Sequence, residues 1–95
     1  DSPFSEAEAT EMKAKLDALM EQLEEIQAKN EITEQELETL RDDVESLKSN
    51  TNTYPKSVWY RTSATKILDS LKRIATSKEG KEVLAQAAKK ALGLN

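Results

Sequence analysis

The side chains with chemical potential in this chain are its carboxylates. Asp42, Asp43 and Glu45 stand within four residues and Glu24 adjoins Glu25, and such oxygen-rich groups could touch a divalent cation. General acid and base catalysis asks for two carboxyls held in different environments within a cleft, and nothing in the spacing marks such a pair. There is no calcium-loop pattern, no glycine-rich phosphate loop and no serine in an elbow context. Cysteine and histidine are absent, which removes disulfides, thiolate zinc sites, thiol nucleophiles and imidazole bases. The acids therefore read as a solvated face. The expectation is a protein that is not an enzyme, with no catalytic residue, no metal site and no cofactor.

The elements that carry these groups follow from composition and punctuation. Ninety-five residues allow one small domain whose single core is marginally stabilising. A charged fraction of 34% and only four aromatic residues, Phe4, Tyr54, Trp59 and Tyr60, suit long helices rather than a sandwich or barrel. The two prolines and two glycines, Pro3, Pro55, Gly80 and Gly93, punctuate the chain. No apolar run approaches the roughly 18 to 20 residues of a spanning helix, and Asp1-Ser2-Pro3-Phe4 lacks the blocks of a signal peptide. A cytoplasmic location is expected. The start without methionine suggests a piece of something longer, though trimming would leave the same start.

A first helix is announced by Ser5 and Glu8, spaced as a capping box, with Phe4 ahead of the cap to staple onto Ala9. Met12, Leu16, Leu19, Leu23 and Ile26 then alternate at four and three residues, one apolar stripe widened by Met20. Thr33 and Glu36 repeat the capping box, and Asn30 suits a left-handed helix end. A second helix carries Leu37, Leu40, Val44 and Leu47. The same positions also form an unbroken heptad, so two folds stay open. One is an antiparallel coiled-coil-like helical hairpin over residues 5–50; the other is a continuous coiled-coil helix over 6–49. Either is followed by two shorter amphipathic helices, making an all-α protein.

Residues 51–56 read as a polar linker closed by Pro55, and residues 57–95 as a basic helical pair packing on the acidic hairpin. Tyr60, Ala64, Ile67, Leu68, Leu71, Ile74 and Ala75 share one face, flanked by Val58 and Trp59. Thr76-Ser77 ends the third helix or caps a fourth. There Val83, Leu84, Ala87, Ala88, Ala91 and Leu92 form an alanine-rich face, and Gly93 with Leu94 closes it.

Glu31-Ile32-Thr33-Glu34-Gln35-Glu36-Leu37 resembles the turn of the short C-terminal domain (SHOCT) hairpins of prokaryotic proteins, where a glycine precedes Ile-Thr-Glu-Glu-Glu-Phe. The resemblance covers residues 16–47, with Asn30 in place of the glycine and Leu37 in place of the phenylalanine. It implies a helical hairpin and an oligomerising role.

Charge divides unevenly. Residues 1–50 hold fifteen acids and five bases, a net of −10, whereas residues 51–95 hold three acids and nine bases, a net of +6. Opposite nets favour association of the halves, within a chain or between chains. The expected function is a non-catalytic helical oligomerisation or protein–protein interaction module, with a homodimer as the first expectation and another protein as a possible partner. Its interface is expected to use Leu16, Leu19, Leu23, Ile26, Leu37, Leu40, Val44, Leu47, Trp59 and Tyr60. The alternative is binding of a polyanion, nucleic acid or an anionic membrane surface, through the basic half, with nucleic acid the less favoured partner because the net charge is −4.

Overall fold

Two capping boxes set the first two helices of the computed structural model, which describes residues 2–29, 32–74 and 78–92. Ahead of α1 (Glu6–Ala28), the Glu8 amide donates to Ser5 Oγ at 3.2 Å and the Ser5 amide donates to Glu8 Oε1 at 3.0 Å. Ahead of α2 (Glu34–Asn50), Thr33 and Glu36 exchange the same pair at 3.1 and 2.9 Å. Each box satisfies two amides that the first turn of a helix leaves without partners. The chain leaves the helix after Ala28 and begins a new one at Glu34, so a continuous helix over 6–49 does not form. The cap expected at Asn30 lies outside the described residues. Across the break Arg41 pairs with Glu24 and Lys48 with Asp17. Moving up α2 thus moves down α1, and the two helices run antiparallel.

Helix α3 has three parts: an α turn at Lys56–Val58, a π-helical segment at Trp59–Ala64 and an α-helix at Thr65–Ile74. Helix α4 is Lys78–Leu92. The expected signals at Thr76-Ser77 and Gly93-Leu94 lie outside the described residues. Helix α1 packs on α2 and α4, and α3 packs on the same two. The four helices so close a ring around one continuous core that runs in sequence from Phe4 to Leu92. The protein is all-α, and among the described residues none lies in a strand beyond an isolated bridge between Pro3 and Pro55. None of the described helices is long and apolar enough to cross a membrane.

The π segment explains where the aromatic residues go. In an α-helix five residues make 1.4 turns, which would leave Trp59 about 140° away from Ala64. A π turn closes from i to i+5, and both residues come round to the core, where each is fully buried. The sequence pattern puts Tyr60 on the stripe with Trp59 beside it. In the structure Trp59 is the buried ring and Tyr60 is only partly covered, because the extra residue in the turn shifts the register.

Trp59 and Tyr60 pack edge to face at 5.1 Å between centroids, and Phe4 stands edge-on to both at 5.3 and 5.6 Å. Phe4, expected as a helix staple, is therefore the third member of an aromatic cluster. The Trp59 indole N–H donates to the Leu47 carbonyl at 3.1 Å, one of the last four carbonyls of α2 that lack a helical donor. Thr51, fully buried, donates its hydroxyl to the Lys48 carbonyl at 2.9 Å. The Lys56 amide donates to the Ser2 carbonyl at 3.1 Å, tying the N-terminal arm to the start of α3.

Trp59→Ala is expected to cost about 3 to 5 kcal/mol, a large part of the roughly 5 to 14 kcal/mol available to a chain of this length. Trp59→Phe keeps a ring but strands the Leu47 carbonyl, a loss of about 1 to 3 kcal/mol. Urea titration followed by far-UV circular dichroism measures both.

Candidate functional site

The ten side chains expected to meet a partner lie in the chain's own core. Leu16, Leu19, Leu23, Ile26, Leu37, Leu40, Val44, Leu47 and Trp59 are buried, and Tyr60 packs against them partly covered. Helices α3 and α4 cover the stripe that α1 and α2 alone would expose. A partner would have to open the core to reach most of these residues. Ile26 differs, because it borders an open groove.

That groove lies between the second half of α1 and α4 and encloses about 780 Å³. Ile26, Val83 and Ala87 supply its apolar surface, and Glu25, Lys29, Glu82 and Lys90 stand on its rim with Gln22 and Gln86. Helix α4 carries two apolar rows. Leu84, Ala88 and Leu92 recur every four residues and are fully buried, while Val83 and Ala87 form the next row and face the groove. Val83 is 56% exposed. The sequence pattern puts it on the inward face with Leu84; the one-residue offset, about 100° around the helix, carries it outside the core instead.

The second surface is the outer face of α3. Arg61, Lys66, Lys72 and Arg73 are exposed there around an open depression, with Thr62, Thr65 and Asp69 between them. Trp59 and Tyr60 do not join these cations, because their rings turn into the aromatic cluster.

Among the described residues most close ion pairs lie within the acidic half. Arg41 pairs with Glu24 and Glu38, and Lys48 with Asp17 and Glu45, all within residues 1–50. Lys56 to Glu8 at 2.5 Å is the one ion pair that joins the halves among the described residues. Glu38 first, then Glu24, raises the Arg41 pKa, and Asp17 first raises that of Lys48. These exposed pairs are individually weak and screened by salt. Burial pushes the Tyr60 hydroxyl up.

The carboxylates singled out as possible cation ligands are dispersed. Glu24 and Glu45 are held in ion pairs, Glu25 stands on the groove rim, and Asp42 is exposed. Among the described residues no group of three Asp or Glu side chains converges as a metal site. No buried side-chain nitrogen or oxygen among them lacks a hydrogen-bond partner. The described surface thus includes an apolar groove and a cationic face. Comparison with protein-family models, curated proteins and solved structures finds no match to this chain.

Glu8 serves two roles, capping α1 and receiving Lys56 across the halves. The Lys56 ammonium, then the Ser5 amide and side chain, hold its carboxyl down at about 2. A carboxyl depressed on folding stabilises the protein above its unfolded value, 4.5, because only the unfolded chain takes up the proton between the two values. That stabilisation is lost as pH falls from 4.5 towards 2. Melting temperatures of the native chain and Glu8→Gln should therefore differ by a constant amount above pH 5 or so. The gap should close on acidification towards pH 2.

Proposed function

We propose that the chain is a non-catalytic helical interaction module that pairs with a second copy of itself through the α1/α4 groove. The observation that supports this reading most is the composition of that groove, in which exposed Val83 stands beside half-buried Ala87 and the edge of buried Ile26, rimmed by two acids and two bases. A two-fold axis brings the same patch against itself. Glu25 and Glu82 of one copy can then lie opposite Lys29 and Lys90 of the other, while Val83 loses contact with water. An apolar centre with a charged rim is the usual anatomy of a protein interface. The role implied by the SHOCT-like turn points the same way. The three- and four-residue spacing of buried side chains on α1 and α2 also supports reading that pair as coiled-coil-like, serving as the rigid support of the groove. A cytoplasmic location belongs to the same proposal.

Light scattering over a dilution series is expected to give twice the chain mass of 10.6 kDa for the native protein and the single mass for Val83→Glu. Because Val83 is largely exposed, the variant should retain its helical spectrum and its melting temperature at low concentration. A native chain that is monomeric at every concentration, or a Val83→Glu variant with unchanged mass, overturns the reading.

A further inference from the structure

The outer face of α3 has a different character from the groove. Arg61, Lys66, Lys72 and Arg73 are all exposed, and like Lys13, Lys15 and Lys29 they are in no ion pair among the described residues; what sets them apart is that all four crowd one face. From Arg61 to Arg73 the face extends about 18 Å at the rise of a helix. Arg61 lines the same depression as Lys66, Lys72 and Arg73. The two acids near the face are Asp69, within it, and Asp43 of α2, half-buried, which lines an adjoining cleft with Lys66.

What fits this face is decided by what it lacks. The depression is lined by four cations, two threonines and one aspartate, with no apolar side chain. Protein interfaces place an apolar centre inside a polar rim, and helices that lie on membranes need an apolar face beside the basic one. Contacts to a phosphodiester backbone need neither, because they are ion pairs and hydrogen bonds from Arg, Lys and Thr side chains. Single strands are usually held by stacking bases on exposed aromatic rings. Here Trp59 is fully buried and Tyr60 packs edge-on against it and Phe4, so the rings of α3 turn to the cluster and not to the depression.

We infer that the outer face of α3 is a sequence-independent contact site for the phosphate backbone of a nucleic-acid duplex, held by Arg61, Lys66, Lys72 and Arg73. With four cations engaged, the logarithm of affinity falls against the logarithm of salt concentration with a slope of about −3 to −4. The face lies on the helix diagonally across the ring from α1, so the site is independent of pairing through the groove.

The test is fluorescence anisotropy of a labelled duplex DNA titrated with the full chain, from about 20 mM salt upward, in the range where counterion release dominates. The native protein should bind at low salt with the slope given. Arg61→Gln with Lys72→Gln should lower the slope by about two and weaken low-salt binding at least tenfold. Lys13→Gln with Lys15→Gln, on α1, should change neither. Absence of an anisotropy change at about 20 mM salt, or equal binding after all four α3 cations are neutralised, overturns the inference. Tighter binding to a single strand of the same sequence, or to vesicles of acidic phospholipid, overturns it in favour of those ligands.

Discussion

The placement of the Trp59 indole is the constraint on which the base of the molecule depends. It is the largest buried side chain and has both a wide apolar surface and a hydrogen-bond donor, and the two must be satisfied together. The ring meets Phe4 from the N-terminal arm, and its N–H closes the Leu47 carbonyl at the end of α2. Three segments distant in sequence are thereby fixed at one point. A regular α-helix would not present Trp59 and the Ala64, Ile67 and Leu71 row to the same core, and α3 adopts a π turn. A π segment is uncommon, and here the buried tryptophan and its hydrogen bond offset its cost.

The opposite face of α3 carries cations, Arg61 lining one depression with Lys66, Lys72 and Arg73. Closing the ring of helices makes the leucine stripe of α1 and α2 internal. What the ring leaves uncovered includes the row of Val83 and Ala87 and the cations of α3. The opposite net charges of the two halves stay on the outside, since a single ion pair, Lys56 to Glu8, joins them among the described residues.

Helix identity and boundaries were legible in the residues because their causes are local. Ser5 with Glu8 and Thr33 with Glu36 start helices through hydrogen bonds spanning three residues, and the spacing of Leu16, Leu19, Leu23, Leu40, Val44 and Leu47 marks an inward face without reference to any partner. The five-residue step from Trp59 to Ala64, which fits no α-helical period, was the one local sign of the π turn.

By itself, then, the sequence determined an all-α protein, the start of its first helix at Ser5, the leucine stripe, and the division of charge between its halves, while the break before Glu34 was settled by the structure over a continuous helix. Only the tertiary structure decided that the leucine stripe is covered by the chain's own α3 and α4, that Trp59 rather than Tyr60 is the buried ring, that Phe4 joins it, and that Val83 stays in water while Leu84 does not. The physical reason is the range of the interactions. Capping and periodicity act within a turn or two of helix, whereas the choice of covering surface depends on which distant segment packs there, and a shift of one residue in register rotates a side chain by about 100° from core to solvent.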